Sequence, residues 1–264
     1  MDFNQVVTYL CAFVIGAILG LIGGGGSILT VPLLVYFLSF NPIIATAYSL
    51  FVVGSSSFVG VIQKHRKGLV DFKTGLIFIF PSLLAVYFTR RFLVPVIPEI
   101  VFNYRDFSIT KDMSIMLFFA IVMFFASFSM IKSKQKNNTT KSKLPYYKTF
   151  FQGIVIGIIT GLIGAGGGFL YVPALVLWSG LNMKKAVATS LLIITINSLI
   201  GFLGDVQLLE IDWYFLLSFS SLTIFGILVG GYYSKFIPSK KLKKSFGWFV
   251  LLMSFYILSK ELLF

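Results

Sequence analysis

Two glycine-rich stretches hold the residues of this chain best placed to do chemistry: GGGGS at Gly23–Ser27 and GAGGG at Gly164–Gly168. Successive glycines let the backbone take φ > 0 and come close to a ligand, so that consecutive N–H groups can converge on an anion. The candidate contacts are Gly24, Gly25, Gly26 and Ser27 in the first stretch, and Ala165, Gly166, Gly167 and Gly168 in the second. Pro32 and Pro173 follow, and proline suits the first turn of a helix, whose N-terminal dipole end also favours negative charge. The combination points to a small oxyanion. Neither stretch is a nucleotide fingerprint, because no Lys-Ser or Lys-Thr follows and no strand precedes it. The competing reading is that these glycines only let helices approach each other. That role is assigned to Gly16/Gly20, Gly157/Gly161 and Gly226/Gly230, which have GxxxG spacing.

A second set of polar residues lies inside apolar segments: Ser57, Ser198 and Asn197. Polar groups in a membrane need partners, which either a water-filled substrate path or interhelical hydrogen bonds can supply. Asn41 and Asn182 read as helix N-caps, and Asp71 and Asp212 as acids that complement a helix N-terminus. With one His, His65 in a charged run, and one Cys, Cys11 in an apolar stretch, the chain offers no Cys-based metal site and no disulfide framework, leaves few catalytic groups, and is expected to need no metal and no cofactor.

The elements that position these residues belong in a bilayer. Of 264 residues, 57% are hydrophobic and 12% charged, half the roughly 25% of a soluble domain, and the mean hydropathy is +0.93. The net charge of +13 is read as the basic bias of cytoplasmic loops and not as a nucleic-acid footprint. Apolar stretches fall four and four, on either side of a polar, lysine-rich linker at Lys132–Lys148. The expected organisation is a first transmembrane repeat at 1–131, the linker at 132–148 and a second repeat at 149–264. The halves are copies. GAILGLIGGGGSILTVP from Gly16 matches GIITGLIGAGGGFLYVP from Gly157 at an offset of 141, which also pairs Asn41 with Asn182, Ser49 with Ser190, Ser57 with Ser198 and Asp71 with Asp212.

A helix from Pro32 to Phe40 would have nine residues and span roughly 13 Å, under half of a hydrocarbon core of about 30 Å. Each glycine-broken stretch is therefore expected to be a re-entrant hairpin that returns to its starting side. Charge counting agrees. If each stretch crossed once, the 22 Lys and Arg would divide evenly. With hairpins, four in Lys64–Lys73, six in the linker, Lys184 and Lys185, and five in Lys235–Lys244 gather on one side, and five remain on the other. The expected fold is thus an all-α polytopic membrane protein of two inverted repeats, each a glycine-broken re-entrant hairpin plus three transmembrane helices, with the linker inside.

The paired motifs GLIGGGGSILTVPLL and GLIGAGGGFLYVPALVL, each followed by Asn and then an Ala-x-Ala-x-Ser-Leu helix, resemble the sulfite exporter TauE/SafE family of membrane permeases. The resemblance covers nearly the whole chain. It implies transport of sulfur-containing anions such as sulfite or organosulfonates across the cytoplasmic membrane. The motif positions it carries over are Gly23, Gly25, Gly26, Pro32 and Asn41, and Gly164, Gly166, Gly167, Pro173 and Asn182. The expected partners are a small anionic substrate and the lipid bilayer, without nucleic acid. Export by alternating access is the leading reading. A non-transporting scaffold or accessory subunit and a membrane-embedded enzyme are its alternatives.

Overall fold

The computed structural model describes residues 3–104, 107–132, 146–163, 168–177, 179–206 and 209–263. The first half comprises α1 (Phe3–Ile22), α2 (Gly25–Pro32) continued by a π-helical turn (Leu33–Phe37), α3 (Pro42–His65), α4 (Phe72–Phe88) continued by a second π-helical turn (Thr89–Leu93), the short α5 (Val94–Val96) and α6 (Lys111–Lys132). A two-stranded antiparallel ribbon, β1 (Ile100–Tyr104) and β2 (Phe107–Thr110), leads into α6 and was not expected from the sequence. The second half comprises α7 (Tyr146–Ile163), α8 (Gly168–Leu177), α9 (Met183–Asp205), α10 (Trp213–Tyr233) and α11 (Ser239–Leu263). Among the described residues, six helical stretches are long and apolar enough to cross a membrane: Pro42–His65, Phe72–Val96, Lys111–Lys132, Met183–Asp205, Trp213–Tyr233 and Lys240–Leu262. The chain is an all-α polytopic membrane protein, and its outward faces carry large apolar side chains such as Phe80, Phe125 and Phe225.

Helix starts follow cap chemistry, and the caps recur at the 141-residue offset. Asn41 Oδ1 accepts from the Ile43 N–H and Asn182 Oδ1 from the Lys185 N–H, both at 2.9 Å. Asp71 and Asp212 accept from the N–H groups of Thr74 and Phe215, both at 3.0 Å. The prolines behave otherwise. Pro32 and Pro173 lie inside α2 and α8 and not at their first turns, because the helices are already under way at Gly25 and Gly168. A proline inside a helix has no N–H for the ladder and its ring crowds the carbonyl four residues back, so the following turn widens. Both copies end with this wider pattern. Leu38 and Phe40 donate to Leu33 and Leu34, and Ser179 and Leu181 donate to Ala174 and Leu175.

The halves interlock. α1 packs on α10 and α7 on α4, while α3 packs on α9, α6 on α11 and α2 on α8, so exchanging the halves reproduces the same set of pairs. Glycines set the closest of these contacts. A Cβ on Gly16 would stand 2.9 Å from Thr223 Cα, and one on Gly157 would stand 2.8 Å from Ser82 Cα at the equivalent place. Gly226 and Gly230 likewise face Phe13 and Ala17. The GxxxG residues are therefore packing residues.

Cross-half hydrogen bonds fix which helix ends lie together. Tyr48, two turns into α3, accepts from the Asp212 N–H at 2.7 Å, and its counterpart Thr189, two turns into α9, accepts from the Asp71 N–H at 3.0 Å. Tyr9 in α1 meets Ser218 in α10 at 3.3 Å. The starts of α1, α3 and α10 thus share one end of the molecule, the Asp212 end, so the chain leaves along α1 and comes back to the same end before α3. α7 runs alongside α4, with Gly153 beside Pro81 and Gly161 beside Thr89, and the starts of α4, α7 and α9 share the opposite, Asp71 end.

Candidate functional site

The first glycine run is mostly helix. Its turn is confined to Gly23, at φ +79°, and Gly24, the N-cap of α2, while Gly25, Gly26 and Ser27 form the first helical turn. The dipole end lies at Gly25 and not at Pro32, so the part of α2 that follows the turn is longer than the sequence suggested. With its π-helical turn it runs from 25 to 37, roughly 20 Å at 1.5 Å per residue, which is still too short to span. Gly23 fits against α9, where an added Cβ would stand 2.9 Å from Ser190 Oγ. In the second copy Gly168 is the first described residue of α8, and Ala165, Gly166 and Gly167 lie outside the described residues.

The two short helices meet. A Cβ on Gly24 would overlap the Gly168 carbonyl, so the backbones touch at the start of α2 and the first described residue of α8. The first four N–H groups of a helix have no partner within it, and Gly24 supplies no side-chain cap. The positive dipole end of α2 is therefore presented at this contact, against the first described turn of α8.

Beside α8 lies a buried polar cluster. Asn197 of α9 is 2% exposed, and its Nδ2 donates to Ser82 Oγ of α4 at 2.8 Å and to Tyr171 OH of α8 at 2.6 Å. Its Oδ1 has no hydrogen-bond partner among the described residues. Tyr171 and Ser82 are fully buried, and the Tyr171 ring stands edge-on to Phe78 with centroids 5.9 Å apart. Tyr171 and Ser82 were missed from sequence. The available signal was a hydroxyl three residues into the helix that follows the second glycine run.

Ser57 and Ser198, equivalent at the 141 offset, are fully buried, and neither Oγ has a partner among the described residues. They sit where α3 crosses α9. Gly60 of α3 faces Leu191, and the equivalent Gly201 of α9 faces Leu50, so the crossing is centred near Ser56 and Asn197. The structure thus joins Gly24 to Gly168, and Asn197 to α8 through Tyr171. Among the described residues it gives Ser57 and Ser198 no hydrogen bond to the glycine turns.

The polar positions are unequal between the copies. Tyr171, Asn197 and Ser82 correspond to Thr30, Ser56 and Thr223, which are also fully buried. Ser56 and Thr223 bond to carbonyls of their own helices, Val52 and Phe219. A separate cleft of about 160 Å³ lies between α2 and α11, lined by Leu29, Pro32, Tyr36, Met253 and Tyr256 among others, and Tyr36 OH donates to Glu261 at its rim. No group of three or more His, Cys, Asp or Glu among the described residues is arranged to hold a metal.

Residues 8–257 match the sulfite exporter TauE/SafE family. The chain belongs to that family. A probable membrane transporter protein of Xylella fastidiosa (strain 9a5c) is 29% identical to it over 266 residues, covering 97% of this chain and 95% of the relative. The probable membrane transporter protein YunE of Bacillus subtilis (strain 168) is 27% identical, covering 89% and 90%, and a further one from Haemophilus influenzae is 28% identical, covering 90% and 92%. No solved structure matches the chain. Membership of TauE/SafE, with the six long apolar helices, makes this a multi-pass membrane protein of a transporter family. The match spans both glycine runs and both Asn caps, so the paired motifs lie within the part of the chain that defines the family.

Proposed function

We propose that this TauE/SafE protein carries small oxyanions, sulfite or organosulfonates among them, out across the cytoplasmic membrane by alternating access around the two glycine turns. The observation that carries this reading is the contact of Gly24 with Gly168, which sets the start of α2 against the first described turn of α8, next to a buried cluster of Asn197, Tyr171 and Ser82. Dipole ends supply attraction for negative charge without a counter-ion that would hold it too tightly, and hydroxyl and amide groups supply directional hydrogen bonds. Gly25, Gly26, Ser27, Ala165, Gly166 and Gly167 belong to the same substrate-binding region, and Ser57 and Ser198 line the path at the α3–α9 crossing. The halves act as inverted repeats, 1–131 and 149–264, with 132–148 as the cytoplasmic linker. The shared helix ends support this, since α1 starts from one end of the molecule and α7 from the other. Among the described residues no acid lies at the middle of a spanning helix, which supports uncoupled, electrogenic export. An inside-negative potential of about 100 mV contributes roughly 2.3 kcal/mol per charge, which sustains a nearly fifty-fold outward gradient of a monovalent ion.

The test is flux from proteoliposomes loaded in turn with sulfite, thiosulfate, sulfate, sulfoacetate and chloride, under an imposed potassium diffusion potential or an imposed pH gradient. Voltage-dependent flux of one or more sulfur oxyanions, abolished by Gly24→Val, is expected. A scaffold or accessory subunit shows no flux with any of them. Flux that follows the pH gradient and ignores voltage removes the uncoupled mechanism.

A further inference from the structure

We propose that Lys64, together with Ser234 and Lys184, forms a binding site for one compact oxyanion at the Asp71 end, separate from the glycine turns. Lys64 sits in the last turn of α3 and is only 4% exposed. Its Nζ donates to the Oγ of Ser234, the C-cap of α10, and the Ser234 hydroxyl donates to the Gly231 carbonyl at 2.9 Å. An ammonium group has three donors, and Ser234 takes one. No carboxylate among the described residues lies within ion-pair distance of Lys64, and the charges acting on it are the like charges of Lys67 and Lys184. Lys184 is held at this mouth by its own bond to the Lys235 carbonyl at 3.2 Å. Asp71, the acid nearest in sequence, already caps α4. A buried ammonium without a counter-charge is costly, and the deficit is met by an anion from outside the chain.

The duplication makes the deficit specific. At the 141 offset Lys64 corresponds to Asp205, the last residue of α9, whose carboxylate forms an ion pair with Arg90 of the π-helical turn after α4. One position, two outcomes: at the Asp212 end the crossing helix terminates in a complete ion pair, and at the Asp71 end it terminates in a cation with half a pair. A point-like ammonium beside a hydroxyl, with a second lysine nearby, suits a tetrahedral or pyramidal oxyanion. The free ion and the phosphate of an anionic lipid share this chemistry.

The full chain in nanodiscs separates these sources. In phosphatidylcholine discs, sodium sulfate is expected to raise the melting temperature saturably above sodium chloride of equal ionic strength, if the ligand is a free ion. If it is a lipid phosphate, the rise appears on replacing phosphatidylcholine by phosphatidylglycerol. In either case the rise is lost in Lys64→Met, whose melting temperature without the anion equals or exceeds that of the parent because an unpaired buried charge has been removed. Lys184→Gln, which leaves the buried group in place, needs more sulfate or more phosphatidylglycerol for half the rise and covers the case in which Lys64→Met does not fold. A rise of equal size in Lys64→Met, or no saturable rise in either lipid, overturns the proposal, as does an unchanged midpoint in Lys184→Gln.

Discussion

Asn197 commits both amide hydrogens to hydroxyls on two other elements, which makes it the joint between α4, α8 and α9. Tyr171→Phe isolates what that joint does. The ring keeps its place against Phe78, and one buried hydrogen bond is lost, so stability should fall by about 0.5–1.5 kcal/mol in a denaturant titration of the purified protein. If the cluster also holds the anion, flux of the identified substrate falls by much more than that loss explains, through a raised half-saturation concentration. Unchanged flux reduces the cluster to an interhelical clasp and leaves the Gly24–Gly168 contact as the whole site. Asn197 was legible in the sequence as a polar residue in an apolar helix, with clasp and site as its alternatives. Tyr171 was not, because a tyrosine in an apolar run reads as packing until the fold brings Asn197 against its hydroxyl.

Among the elements, the starts of α3, α4, α9 and α10 were readable because an Asn or Asp cap acts within three residues of itself. The starts of α2 and α8 were not. Proline's preference for a first turn argued for Pro32 and Pro173, but glycines upstream extend each helix back to the contact between copies, a tertiary effect that local propensity does not contain. The closely packed helix pairs make an unequal prediction for glycines of similar sequence surroundings. Gly16→Val and Gly157→Val each drive a side chain into the backbone of the partner helix and should destabilise by at least 1–3 kcal/mol. Gly204→Ala, in α9 with nothing within 4 Å of the new methyl, should be neutral or stabilise by up to about 1 kcal/mol through helix propensity. Thermal melting of the three purified variants checks the order, and similar losses in all three would contradict the packing described for α1 and α7.

For the molecule as a whole, the distribution of charge predicts orientation. Lys64, Arg66, Lys67, Lys184, Lys185 and Lys235 gather at the Asp71 end, and Asp205, Glu210, Asp212 and Glu261 at the other. With Cys11 replaced by serine, single cysteines at Ser39 or Glu210 should react with an impermeant thiol reagent added to intact cells, and single cysteines at Lys67 or Lys185 should react only after the membrane is opened. Labelling of Lys185→Cys from outside would refute the inverted arrangement. The interlocked halves also have a consequence for biogenesis. The glycine face of α1 finds its partner on α10, which ends at Tyr233, and the Tyr48 hydroxyl finds Asp212 at the start of that helix. At roughly 5–20 residues per second, synthesis from the end of α1 to the end of α10 takes on the order of ten to forty seconds. Throughout that interval the newborn first half stands in the bilayer with its tightest seam open. The insertion machinery, or the lipids themselves, must shelter that seam until its other side arrives.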